Sequence, residues 1–323
     1  MAVDYAHELI DKRIEKLSKR LAKVYRQALK ELEAKANEYL QGFKKEDRLM
    51  RLKVVHGDIT KKEYLKWRQG KMLYNQRYNE LIDNLADDLA KTNITASYLV
   101  NKTLPESFVD ASNFSAFKIE KTVQDVSFSI YNVNAVNRLI ANNSLMLPKA
   151  TVDISKDMLW NRQKVNSAMA QGILQGDSIP KIAKRLRMVT DMNEQASLRN
   201  ARTLHTAAES LGRMDTLERA ESMGIEVMKQ WIAVHDGRTR DAHRELDGQM
   251  LPKNKRFINS IGAIRWPADE LAAPANVYNC RCSLDIIMPK YQTNTDRYSG
   301  AEYEAWKKGK KAYTDYLRGK DNA

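Results

Sequence analysis

The residues best suited to chemistry are one histidine and two cysteines in the last third of the chain. His243 follows a turn-like stretch, and Cys280 and Cys282 are separated by one residue. A neutral imidazole and two thiolates are typical ligands of zinc, and His235 or Asp236 could supply a fourth ligand. A structural zinc site would therefore connect segments that lie about forty residues apart in the sequence.

The spacing of the two cysteines favours a different interpretation. Residues i and i+2 of an extended strand point the same way but lie about 7 Å apart, because each residue adds about 3.3 Å. A bend would have to bring the thiols together, and the usual zinc knuckle with two intervening residues is absent. The alternative is a small core in which Cys280 and Cys282 are buried as small hydrophobic groups and His243 hydrogen-bonds a backbone carbonyl. We expect this packing role and no cofactor, with structural zinc as the open alternative.

Asp236 also allows two interpretations. In the Asp236-Gly237 turn its carboxylate could bond the backbone two residues on and pair with Arg238, Arg240 or Arg281. We expect this structural role, because the sequence contains no paired carboxylates, nucleophile elbow or phosphate-cradling glycine loop. The chain is therefore not predicted to be an enzyme. The alternative is a metal-dependent hydrolase, such as a nuclease, with three candidate residues: His235, Asp236 and His243.

Short strands and turns are predicted to position these residues. β-Branched and aromatic residues predict a strand from Ile225 to Val234 that includes Trp231. Cys282, Leu284, Ile286 and Met288 alternate with other residues and predict a final strand. Between the two strands, the sequence predicts a turn at Asp236-Gly237, a short helix that starts at Thr239 and carries His243, and a turn at Asp247-Gly248.

The rest of the chain has the periodicity of long helices. In the first forty residues apolar positions recur every three or four residues, namely Ile10, Ile14, Leu17, Leu21, Val24 and Ala28. Because this seam is narrow, we expect the helix to lie against a neighbouring helix or subunit, which includes self-association. Helix breaks are predicted after Gln41 and at Leu104-Pro105, and one helix is predicted over 119–139. Helix starts are predicted by capping boxes at Thr60/Glu63 and Ser299/Glu302 and by caps at Asp153 or Ser155 and at Thr190. Helix ends are predicted at Gly176 and Gly224.

These patterns predict a mostly α protein with a long N-terminal helical arm and a small C-terminal α+β module. Four consecutive segments are expected: a coiled-coil-like arm over 1–41, a helical domain over 42–147, a module over 148–288 and a basic helical tail over 289–323. Within the module, residues 148–224 are predicted to be helical and residues 225–288 to be α+β.

The charge and the composition restrict the class of partner. The formal net charge is +13, which indicates a polyanion such as double-stranded DNA bound without sequence preference, although helices also carry basic residues to remain solvated. No apolar run is long enough to span a bilayer, and the first residues lack the apolar region of a signal peptide. The cysteine pair cannot form a disulfide framework, so we expect synthesis in a reducing cytoplasm. Candidate phosphate contacts near the motif are Arg238, Arg240, Arg244, Lys253, Lys255 and Arg256.

The region from about Gly176 to Ile287 resembles the phage Mu F-like head-morphogenesis family, which includes minor head and minor capsid proteins. In order, the residues that carry the resemblance are Gly176-Asp177-Ser178-Ile179-Pro180, Ile182-Ala183, Ala201-Arg202-Thr203, Gly224-Ile225, Lys229-Gln230-Trp231, Asp236-Gly237-Arg238-Thr239-Arg240, His243, Leu246-Asp247-Gly248 and Asn279-Cys280-Arg281-Cys282. The resemblance implies a structural protein that is present in few copies, inside the head near the portal vertex. The family is linked to head assembly and to DNA packaging or delivery, and has no established catalytic activity.

The predicted function is therefore that of a phage minor head protein, made in the cytoplasm of a bacterial host and incorporated into the virion. Expected partners are the portal protein, the major capsid or scaffolding protein, and packaged DNA. A third hypothesis is a DNA-binding module that leaves with the genome on ejection.

Overall fold

Helices dominate the structure, a computed structural model that describes residues 4–291 and 298–321. The helices are α1 Tyr5–Val55, α2 Lys61–Leu73, α3 Gln76–Thr122, α4 Val133–Ala141, α5 Ile154–Gln175, α6 Ile179–Ser222, α7 Asp241–Arg244, α8 Pro274–Val277 and α9 Gly300–Asp321. The strands are β1 Met228–Ile232, β2 Met250–Leu251, β3 Phe257–Asn259, β4 Gly262–Ile264 and β5 Ser283–Ile287. The predicted class, mostly α with a long N-terminal helix and a small C-terminal α+β region, is confirmed. Within the described ranges, no helix is both long enough and apolar enough to cross a lipid bilayer.

The chain forms two compact units, and each is assembled from segments that are distant in sequence. The first unit contains the residues up to Leu17, Val100–Ala150 and the residues from Arg199 onward. The second unit contains Ser18–Leu99 and Thr151–Leu198. The sequence suggested four consecutive segments instead, and that division stays a prediction.

Three of the predicted helix boundaries are wrong. Gly42 lies inside α1, Pro105 inside α3 and Thr190 inside α6. A helical glycine costs about 1 kcal/mol and a proline about 3 kcal/mol, and burial of neighbouring apolar side chains such as Phe43 and Phe108 offsets these costs. Thr190 does not cap a helix, because its hydroxyl donates to the Leu186 carbonyl one turn earlier at 3.2 Å.

The prediction of a single helix over 119–139 is also wrong. α3 ends at Thr122, and α4 begins only at Val133, where the Asn132 side chain accepts a hydrogen bond from Ala135 N at 2.8 Å. Three of the ten intervening residues, Val123, Val126 and Ile130, are β-branched and favour extended backbone. The Asn113 side chain holds this segment by bonding both the N–H and the carbonyl of Tyr131, each at 2.8 Å.

Helix ends that depend on local capping chemistry were predicted correctly. Thr60 and Glu63 form a reciprocal capping box at the start of α2, and Ser299 and Glu302 form one at the start of α9. Asp153 caps α5, whose end at Gly176 has φ +71°, and Gly224 follows α6 with φ +80°. These positive φ values are accessible to glycine at little cost.

The apolar seam of α1 is covered by this chain's own residues. In the first unit Ile10 and Ile14 pack against Ala111, and Ala6 packs with the aromatic residues of α3 and α9. In the second unit the seam continues through Tyr25 instead of Val24, and the Tyr25 hydroxyl donates to Asn93 Oδ1 at 2.6 Å. The seam therefore packs against other helices of the same chain, and self-association through the N-terminal helix stays a prediction.

A three-stranded antiparallel sheet forms the C-terminal α+β region, in the order β2-β1-β5. Trp231 in β1 pairs with Leu284 in β5, and both side chains are buried. β3 and β4 form a separate hairpin. The predicted strands over 225–234 and 282–288 are confirmed in their central residues. One core cluster joins these elements: Trp231, Ala233, Leu246, Phe257, Ile264, Cys280, Cys282 and Leu284.

Candidate functional site

His243, Cys280 and Cys282 meet in the core of the α+β region. His243 Nδ1 lies 3.4 Å from Cys282 Sγ and 3.6 Å from Cys280 Sγ. All three side chains are buried, with exposures of 2%, 1% and 3% respectively. They form the one group of three or more close potential metal ligands found in the described ranges, and their ligand atoms lie within 4.8 Å of one another. The structure therefore brings together the three residues that the sequence singled out.

The backbone around the cysteines is bent, so the separation of about 7 Å expected for an extended strand does not apply. β5 starts only at Ser283, and Asn279 has φ +59°. The Cys282 N–H turns back and donates to Cys280 Sγ at 3.4 Å. The premise that the two cysteines belong to one straight strand was wrong, because the strand begins after them.

The surroundings shift the pKa values of the two thiols in opposite directions. The hydrogen bond from the Cys282 thiol, together with the Cys282 N–H and the charge of Arg240, lowers the pKa of Cys280 despite its burial. The same interaction with Cys280, together with burial, raises the pKa of Cys282 well above its usual range. Cys280 is thus the thiol that the surroundings favour as a thiolate.

α6 fixes the segment that carries the cysteines. Thr203 Oγ1 accepts from Asn279 N at 2.8 Å, and Thr206 Oγ1 donates to the Cys280 carbonyl at 3.0 Å. On the other side, Trp231 from β1 meets the His243 ring edge-on, with the ring centroids 5.5 Å apart. These contacts explain why Thr203 and Trp231 belong to the same motif as the cysteines.

Asp236 organises the turn that precedes α7. Its Oδ1 accepts from Arg238 N at 2.9 Å, and its two carboxylate oxygens bind both terminal nitrogens of Arg281. The hydrogen bonds from Arg281 and from the Arg238 N–H hold the pKa of Asp236 well below its usual range. The Thr239 hydroxyl completes the turn by donating to the Val234 carbonyl. Asp236 therefore ties the turn to the segment between the cysteines.

His235 lies away from the cysteine cluster and pairs with Asp247. Its Nε2 is 2.7 Å from Asp247 Oδ2, while Asp247 Oδ1 accepts from Ala233 N at 2.8 Å. Gly248, with φ +78°, donates its N–H to the Trp231 carbonyl at 2.9 Å. The three residues of the hydrolase hypothesis therefore have separate partners, and the structure does not bring them to one open site.

The six basic residues near the motif differ in how they are engaged. Four of them contact groups of the same unit: Arg238 and Asp236 at 3.6 Å, Arg240 and the Tyr278 carbonyl, Arg244 and Asp241 at 2.9 Å, and Lys253 and Glu221 at 3.0 Å. Lys255 and Arg256 are exposed, and neither has an acidic partner among the described residues. These two side chains are the ones in this set most available to a phosphate.

Sequence reasoning missed a buried ionic network beside β5. Glu209 lies 2.8 Å from His7 Nδ1 and 3.0 Å from Arg213, and it accepts from the Ser283 hydroxyl at 2.6 Å. Arg213 in turn binds both carboxylate oxygens of Asp4 at 2.7 Å. Burial disfavours the imidazolium, but the charge and hydrogen bond of Glu209 raise the pKa of His7 to about 9. Only the i,i+4 spacing of Glu209 and Arg213 was visible in the sequence, because His7 is 202 residues away from Glu209.

Comparisons with known proteins agree with the motif. Residues 163–285 match the family described as Phage Mu protein F like protein. The chain is 27% identical over 287 residues to Minor head protein GP7 of Bacillus phage SPP1. This alignment covers 86% of this chain and 84% of that protein. It is 24% identical over 247 residues to NAD(+)--arginine ADP-ribosyltransferase EFV of Enterococcus faecalis (strain ATCC 700802 / V583), covering 74% of this chain but only 50% of that protein. No solved structure gave a significant match. The resemblance to the Mu F-like family is thus confirmed.

Proposed function

We propose that this chain, whose residues 163–285 form a Phage Mu protein F-like region, is a minor head protein of a tailed phage. The observation that carries the proposal is the extent of the similarity to the minor head protein of Bacillus phage SPP1. That similarity covers 86% of this chain, so it reaches well beyond residues 163–285. The motif residues support a structural role, because Asp236, Asp247 and Thr203 bind the chain's own backbone and side chains.

The head assignment is tested on particles of the phage that encodes the chain. We expect mass spectrometry of gradient-purified heads to detect it at a few copies for each particle. A phage that lacks the gene should form defective heads, and the wild-type gene supplied in trans should restore them. Absence of the protein from purified, intact heads would contradict the proposal.

Within the head, we propose that the protein lies near the portal vertex and acts in assembly and in DNA packaging or ejection. Co-expression with the portal protein should give a complex that survives size-exclusion chromatography. Co-expression with the major capsid or scaffolding protein tests in the same way whether the chain forms a complex with those proteins instead. If the chain co-elutes with neither, the location near the portal is wrong. Particles emptied of DNA then show whether the protein stays in the head or leaves with the genome.

We also propose that the protein contacts packaged DNA without sequence preference. The net charge of +13 supports this, as does the exposure of Lys255 and Arg256 on the α+β region. Contacts of this kind release counterions from DNA, so the affinity falls steeply as the salt concentration rises. For a duplex of mixed sequence, the logarithm of the affinity should therefore decrease linearly with the logarithm of the salt concentration.

The decisive comparison uses two double variants with equal loss of charge. Lys255→Ala/Arg256→Ala should reduce the slope of log affinity against log salt by about 2, since each lost phosphate contact contributes about 0.9. Lys61→Ala/Lys62→Ala removes two exposed lysines from α2 and is the control. Fluorescence anisotropy with a labelled duplex measures both slopes. Equal losses in the two variants would contradict a contact through Lys255 and Arg256, and salt-independent binding would contradict the proposal as a whole.

A further inference from the structure

We propose that His243 Nδ1, Cys280 Sγ and Cys282 Sγ bind one zinc ion, which holds α7 and the segment before β5 together. The site is independent of the proposed role in the phage head. It rests on the positions of three buried side chains in the described structure.

The two distances from His243 Nδ1 to the cysteine sulfurs match the nitrogen-to-sulfur edges of a zinc coordination tetrahedron. With Zn–S near 2.3 Å and Zn–N near 2.05 Å, tetrahedral angles place a nitrogen and a sulfur ligand about 3.6 Å apart. The two distances from His243 Nδ1 are 3.4 Å to Cys282 Sγ and 3.6 Å to Cys280 Sγ. A thiol-to-imidazole hydrogen bond would explain only one of these contacts, because neutral Nδ1 has a single lone pair. One ion bound to all three atoms explains both.

The surroundings of the histidine support the same assignment. His243 is 2% exposed, and its Nε2 has no hydrogen-bond partner among the described residues. A buried imidazole that bonds only to thiols is poorly compensated for the loss of water. Coordination of Nδ1 to a cation replaces the weak contacts with the thiols at that atom and fixes the ring proton on Nε2.

The ligand set selects the chemistry of the ion. Two thiolates and an imidazole favour zinc over magnesium or calcium, which take oxygen ligands. The Cys282 N–H that donates to Cys280 Sγ stabilises a thiolate there, as backbone amides do around bound metals. No other histidine, cysteine or carboxylate belongs to this group in the described ranges, so a water or another small ligand takes the fourth position.

Metal content and cobalt spectroscopy on the full-length protein test the proposal. We expect one zinc per chain after purification without chelators. Replacement by Co²⁺ should give the visible bands of tetrahedral cobalt and a thiolate-to-cobalt charge-transfer band, and saturation should occur at one equivalent. Removing the metal with a strong chelator should lower the melting temperature, and adding zinc back should restore it.

Variants separate this site from adventitious binding. Cys280→Ser, Cys282→Ser and His243→Ala should each lose the metal, and His235→Ala is the matched control that should retain it, because His235 binds Asp247 instead. If a variant does not fold, the cobalt titration of the wild-type chain still decides. The proposal fails if folded wild-type protein binds no zinc or cobalt, if the Cys280→Ser/Cys282→Ser double variant keeps full metal content, or if the intact mass shows a disulfide between the two cysteines.

Discussion

Alkaline pH should destabilise the first unit through a single histidine. His7 is 2% exposed and lies against the Glu209 carboxylate, which raises its pKa from 6.5 to about 9. Each pH unit of difference between the folded and unfolded pKa corresponds to about 1.36 kcal/mol, so protonated His7 contributes about 3 kcal/mol. That is a large fraction of the stability of an ordinary domain.

The sign follows from the direction in which the pKa changes. Because the folded protein binds this proton more tightly than the unfolded chain does, the contribution is fully present below pH 6.5. It decreases as the pH rises and is lost as the pH passes through about 9. Asp11 and Arg213 also face His7, with opposite effects on its pKa, but neither outweighs Glu209.

Lys229 titrates in an overlapping range with the opposite sign, so the assay must compare variants. Burial lowers the pKa of Lys229 to about 8, so the folded protein binds this proton less tightly than the unfolded chain does. The contribution of Lys229 to the free energy of unfolding therefore becomes more favourable as the pH rises above about 8. We expect wild-type protein to lose about 3 kcal/mol relative to His7→Gln between about pH 6 and pH 9.5. Urea unfolding at several pH values measures this difference, and exposed His56→Gln is the control.

NMR titration of the imidazole gives the direct readout. Isotope-labelled histidine shows five imidazoles, and His7 is assigned by its absence in His7→Gln. A His7 imidazole that titrates below about pH 7 would refute the reasoning, because the pairing with Glu209 would then provide no net stabilisation of the charged form.

Two further predictions concern packing and the N-terminal segment. A Cβ on Gly212 would lie 2.4 Å from the Phe108 carbonyl oxygen, so Gly212→Ala should destabilise by about 1–3 kcal/mol, whereas Gly42→Ala, with open space around it, should stabilise α1 by about 1 kcal/mol. Thermal unfolding of both variants is the measurement, and equal melting temperatures would contradict the close approach at Gly212. Asp4→Asn leaves Arg213 buried without that charged partner, which should cost about 3–5 kcal/mol. Limited proteolysis should then cut the first unit faster, and an unchanged cleavage rate would argue against the ionic network.

The sequence by itself determined the features that depend on neighbouring residues. Capping at Thr60 and Ser299 and the glycine stops at Gly176 and Gly224 are local, because the groups that bond lie within a few residues of one another. The position of β5 was likewise predicted from its own short segment, but the structure buries residues on both of its faces. The ordered motif from Gly176 to Cys282 was also visible in the sequence, and it was enough to recognise the resemblance to the family.

The tertiary structure alone decided what distant segments do to one another. It covered the α1 seam with the chain's own residues, because Ile10 and Ile14 meet Ala111. It allowed α3 to continue through Pro105, because packing of buried side chains offset the free-energy cost of a proline inside a helix. It also bent the backbone before β5 and thereby brought Cys280 and Cys282 to His243. Periodicity describes which face of an element is apolar, but it contains no information about which remote segment will cover that face.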